Sequence, residues 1–76
     1  MSILKASEVE IKKQFGERMR EIRLKRGLSQ EKLSFEIGMD LTSVNEIEKG
    51  RRSPKLVTIY KIASALKVSS SDLLLF

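Results

Sequence analysis

The chain has 76 residues and a mass of 8.7 kDa, which is room for one small domain that buries about 60% of its unfolded surface. It is 41% hydrophobic and 33% charged, a globular composition, with no apolar run near the roughly 20 residues of a membrane span. Cysteine and histidine are absent, which excludes disulfides, thiolate or imidazole metal sites and Cys- or His-dependent catalysis, while a net charge of +5 favours a polyanionic partner.

Met1-Ser2-Ile3-Leu4-Lys5 holds no signal-peptide core, so a cytoplasmic protein is expected. Residues 1–6 read as a short flexible arm ahead of a single domain. Phe15, Met19, Ile22 and Arg26 then recur at i, i+4, i+7 and i+11, with charged residues between them. This spacing predicts a first helix over about Glu8–Lys25, stopped by Gly27. Ser29 is an N-cap with Gln30 and Glu31 in the first turn, and Leu28 and Leu33 form a hydrophobic staple. The second helix is short, about Gln30–Ile37, and Gly38 ends it. Asp40 caps a third over about Leu41–Lys49, closed by Gly50.

The run Lys49-Gly50-Arg51-Arg52-Ser53-Pro54-Lys55 carries four cations and no acid. Beyond it, Leu56, Ile59, Ile62, Ala63 and Leu66 mark a fourth helix of roughly Val57–Leu66. Ser69 and Asp72 give a capping-box-like start to a fifth, Ser70–Leu75. Isolated eight-residue helices do not persist in water, so tertiary packing must hold the short ones. The expected fold is all-α, a compact five-helix domain.

Two short helices across a glycine turn form a helix-turn-helix over about residues 29–49. Leu33, Ile37, Val44 and Ile47 point inward, Ser34 lets the two helices approach, and Gly38 permits the turn. With those residues inside, Leu41, Thr42, Asn45 and Glu46 face outward near the front of the third helix, where base edges are met. Asn45 suits adenine, Glu46 suits cytosine, and Leu41 or Thr42 suits a thymine methyl. Arg51, Arg52 and Lys55 are placed to grip the sugar-phosphate backbone.

The ordered set Leu28-Ser29-Gln30-Glu31-Lys32-Leu33, Gly38, Val44-Asn45-Glu46-Ile47-Glu48-Lys49-Gly50 and Ser53-Pro54 resembles the Cro/C1-repressor-type (XRE-type) helix-turn-helix domain. The resemblance covers about residues 13–75. It implies a lambda-repressor-like fold and a homodimeric transcriptional regulator, repressor-like, that binds a palindromic operator in double-stranded DNA. In size the chain is most similar to restriction–modification controller proteins. It departs from many of them at the start of the third helix, where Leu41-Thr42-Ser43 replaces an Arg-Thr-Tyr-type sequence and so removes a guanine-reading arginine. The resemblance also places Gln30 and Ser43 at phosphate-contacting positions and pairs Arg23 with Glu48 in a structural ion pair.

Phe35 and Leu24 fall off the inward faces, as do some of Leu73, Leu74, Leu75 and Phe76. An apolar cluster at the end of so small a chain completes a core or a dimer seam; Leu73, Leu74 and Phe76 are assigned to the seam, with the end of the fourth helix. Catalysis, metals, cofactors, a membrane and a small-molecule ligand are not expected. The alternative function is an antitoxin-type protein-interaction module that also binds DNA, using the exposed apolar residues.

Overall fold

The computed structural model describes residues 7–74 and arranges them in five helices: α1 (Glu8–Lys25), α2 (Gln30–Ile37), α3 (Leu41–Glu48), α4 (Leu56–Leu66) and α5 (Ser70–Leu73). No strand occurs among the described residues. The first two helices have the bounds expected from sequence. α3 ends one residue sooner, because Lys49 is its C-cap, and α4 begins one residue sooner, at Leu56. α5 is a single turn ending at Leu73, after which Leu74 is extended. The expected arm over residues 1–6, and Leu75 and Phe76, lie outside the described residues.

Side-chain caps explain the starts of four of the five helices, α4 having none at Lys55. Ser7 and Glu10 form a reciprocal capping box on α1, with the Glu10 amide donating to Ser7 Oγ at 3.1 Å and the Ser7 amide donating to Glu10 Oε1 at 3.0 Å. Ser29 Oγ accepts from the Lys32 amide at 3.0 Å, and Asp40 Oδ2 accepts from the Ser43 amide at 3.0 Å. At α5 the Ser69 amide donates to Asp72 Oδ2 at 3.0 Å. Gly38, at φ +69°, turns the chain from α2 into α3 in the left-handed conformation that side chains disfavour.

α1 packs on α3 and α5, α2 on α3 and α4, and α4 on α5. The core gathers one stripe from every helix: Met19, Leu33, Val44, Ile47, Ile62, Leu66 and Leu73 are fully buried. Burial of one such side chain contributes about 1.5–3 kcal/mol, which is what holds helices of four to eight residues that would melt alone. The stripe on α1 is Phe15, Met19, Ile22 and Arg23, not Arg26. Arg26 is exposed; it caps α1 and donates to the Lys67 carbonyl oxygen at 3.1 Å. Arg18 likewise ties α1 to α5 by donating to the Asp72 carbonyl oxygen at 2.7 Å.

Leu73 corrects the sequence reading. It is fully buried within one copy of the chain and completes this core, so it is not part of a dimer seam.

Candidate nucleic-acid interface

α3 has one buried and one open face. Val44 and Ile47 are fully buried, whereas Leu41 and Thr42 are exposed and Asn45 and Glu46 are half-buried. The four residues expected to meet bases therefore share the open side of the helix. Beside them run Arg51, Arg52 and Lys55, all exposed.

The buried end of α3 is organised around one carboxylate. Arg23 Nε and Nη2 donate to Glu48 Oε2 and Oε1 at 2.7 and 3.0 Å, and both side chains are almost wholly buried. The third arginine donor, Nη1, reaches the Leu28 carbonyl oxygen at 2.7 Å, so the pair also ties down the loop between α1 and α2. Such a bidentate fork is the strong form of an ion pair.

From Glu48 the hydrogen bonds run outward to the open face. Gln30 Nε2 donates to Glu48 Oε1 at 2.9 Å, and Asn45 Nδ2 donates to Gln30 Oε1 at 3.2 Å. An ionised carboxylate only accepts, so Gln30 must present its NH₂ to Glu48, which leaves its oxygen for Asn45. Asn45 is thus turned with its NH₂ inward along the chain of bonds, its Oδ1 and one N–H unused. The buried charge fixes the orientation of an amide at the surface.

A second network locks the front of α3. Ser43 Oγ donates to Asp40 Oδ1 at 2.7 Å and accepts from Arg52 Nη1. Hydrogen bonds from the Ser43 hydroxyl and then from its amide hold the Asp40 carboxyl below its ordinary value of 3.8. Ser43 is buried, its hydroxyl is engaged twice and its amide donates to Asp40, so the residue acts by fixing the start of α3 and the position of Arg52. Arg51 leans on Glu46 across 3.5 Å in an exposed pair. Among the described residues no group of acids is placed to hold a metal ion, and no helix is long and apolar enough to cross a membrane.

On another side, α4 and α5 leave an open apolar groove of about 540 Å³ lined by Leu56, Val57, Tyr60, Ala63, Val68 and Leu74 among others. Leu56, Val57 and Tyr60 are 81, 62 and 71% exposed. Sequence reading counted Leu56 with the apolar stripe of the fourth helix, from which the structure removes it, and passed over Val57 and Tyr60. The available signal was that the first half of α4, Leu56-Val57-Thr58-Ile59-Tyr60, is apolar on more than the core-facing side. Phe35 and Leu24 are exposed as expected, and of the expected seam residues among those described, Leu74 lines this groove and Leu73 does not.

The helix-turn-helix family model HTH_3 matches residues 19–73. The chain is 48% identical over 63 residues to the control protein C.BamHI of Bacillus amyloliquefaciens, covering 82% of this chain and 78% of that protein. It is 37% identical over 65 residues to the control protein C.MunI of a Mycoplasma species, covering 84% and 88%. Among solved structures it is similar to the restriction-modification controller protein C.AhdI from Aeromonas hydrophila, with a TM-score of 0.78 and 44% identity over 80% of this chain and 92% of that one.

Proposed function

The chain belongs to the HTH_3 (XRE-type) helix-turn-helix family of DNA-binding transcriptional regulators, and we propose that it is a controller-type regulator that binds a palindromic operator as a homodimer in the cytoplasm. The observation that carries this reading is the open face of α3, where Leu41, Thr42, Asn45 and Glu46 stand beside a strip of exposed cations. In the major groove, Asn45 offers adenine the acceptor and donor that its N6 and N7 require. Leu41 and Thr42 supply carbon to a thymine methyl, and Glu46 accepts from cytosine once Arg51 turns from it to a phosphate. Arg51, Arg52 and Lys55 supply the sequence-independent attraction. The free amides at the start of α2, with Gln30, face the same strand of phosphates. No chemical step enters this reading.

The apolar groove supports the second half of the proposal. A second copy covering Leu56, Val57, Tyr60 and Leu74 takes that surface from water by isologous packing. Two recognition helices about 34 Å apart then face successive major grooves. Likeness to the three controller proteins supports the regulatory role in a restriction–modification setting.

Selection of bound sequences from a random duplex pool tests the reading. A palindromic consensus with two half-sites about 10 base pairs apart is expected. A pool that never enriches overturns it, and shifts the function to protein recognition through the exposed apolar residues.

A further inference from the structure

We propose that Lys12 and Lys13 on α1 contact DNA phosphates, extending the backbone-gripping surface beyond the loop after the recognition helix. The proposal rests on the DNA-binding reading and adds an element that reading leaves unused. Two contacts carry it. Gly50 leads from α3 into the basic loop and lies so close to α1 that a methyl group on it would stand 2.8 Å from Lys13 Cα. Three residues on, Ser53 and Pro54 share a small crevice with Ile11, Lys12 and Phe15. The loop therefore lies along the N-terminal half of α1 at both of its ends, and the two lysines join Lys49, Arg51, Arg52 and Lys55 in one surface.

Neither lysine is engaged in an ion pair among the described residues, where the pairs are Arg18–Glu21, Arg23–Glu48 and Arg51–Glu46. Glu8 and Glu17 lie one turn away along α1, and Glu10 is turned toward the Ser7 amide. Lys13 is exposed, and Lys12 lays its stem against the crevice. A flexible, strongly hydrated ammonium suits a phosphate, which needs charge without directional readout. The competing role is structural, with the lysines offsetting the negative end of the α3 dipole. Loss of that role lowers stability and leaves the DNA salt dependence alone.

The experiment measures affinity for operator and random duplexes across a salt series, for the wild type, Lys12→Gln/Lys13→Gln, Lys12→Arg/Lys13→Arg and Arg52→Ala. The glutamine variant is expected to weaken both duplexes by the same factor and to make the slope of log K against log[salt] shallower by about 0.9 per phosphate released. Its melting temperature stays at the wild-type value, and the arginine variant keeps the wild-type slope. An unchanged slope in the glutamine variant, or a loss explained by a lower melting temperature, overturns the proposal. If Arg52→Ala flattens the slope and the lysine change does not, the DNA-binding reading stands without it. If the wild type binds no duplex in a salt-dependent way, both fall.

Discussion

Gly16 of α1 and Ile47 of α3 touch through their backbones. A methyl group on Gly16 would stand 2.5 Å from the Glu48 carbonyl oxygen and closer still to that of Ile47. The C-terminal end of the recognition helix is thus seated on α1 at a point with no room for a side chain. Propensity alone says that Gly16→Ala stabilises an interior helical position by about 1 kcal/mol. Steric exclusion opposes this, and the obstacle is helix backbone, which cannot rotate aside as a side chain would. We expect exclusion to win, with a net loss of about 1–3 kcal/mol. For a domain this size each kcal/mol lowers the melting temperature by about 4–8 °C. A rise in melting temperature shows instead that α3 shifts freely.

Arg23→Ala strands Glu48, a buried carboxylate left with Gln30 as its partner. Breaking such a pair costs about 3–5 kcal/mol, a large share of a small domain's stability. Both folding and DNA binding should fall, and circular dichroism melts read the first. If Arg23→Ala keeps its full melting temperature and loses only DNA affinity, the arginine serves as a phosphate contact instead.

Asn45→Ala and Arg52→Ala should differ in kind. Loss of a base contact costs roughly 1–3 kcal/mol at one operator position and lowers the ratio of operator to random affinity. Loss of Arg52 weakens all duplexes alike. Gln30→Ala should move the ratio in the same direction as Asn45→Ala, since Gln30 turns the Asn45 amide. An unchanged ratio in Asn45→Ala means that α3 presents a different face to the bases.

Asp40 and Asp72 predict an acid limb. The Ser43 hydroxyl holds the Asp40 carboxyl below 3.8, and the Ser69 amide does the same for Asp72. A carboxyl lowered in the folded state contributes stability that is present above its unfolded value and is lost as pH falls through the folded one. Melting temperature should therefore drop as pH falls below about 4. Asp40→Asn keeps a capping oxygen without the titration, so its curve should be flatter there. Identical acid limbs in the two proteins contradict this assignment.

What could be read from the sequence was local. Leu33, Ile37, Val44 and Ile47 announce their burial by spacing within one helix, and Ser29 and Asp40 announce caps by the residues they precede. Gly16 is silent, because the reason for it is a pair of carbonyl groups more than 30 residues away. Arg26 fitted the helical stripe as well as Arg23, and only the position of Glu48 decides between them. Leu73 and Leu74 look alike in sequence, yet one turn of α5 sends the first into the core and leaves the second in the groove. The Gln30–Asn45 bond was hidden for the same reason: it joins two helices, and neither residue's neighbours point to it.

The groove on α4 and α5 yields the last prediction. Leu56, Val57 and Tyr60 are more than half exposed, and none of the three is among the buried core residues of one copy. Surface carbon of that extent costs solubility unless a partner covers it. A second copy is the partner that also doubles the base pairs read, which a single recognition helix needs for useful discrimination. Val57→Lys/Tyr60→Lys puts two like charges from each copy against their counterparts, and should shift sedimentation from dimer to monomer. Because neither side chain belongs to the core, the monomer should keep its helical circular dichroism signal. Operator binding should fall far more than random binding, since only the operator demands both copies at fixed spacing. A double variant that stays dimeric at micromolar concentration moves the interface away from α4, with Phe35 on α2, 85% exposed, the next surface to test.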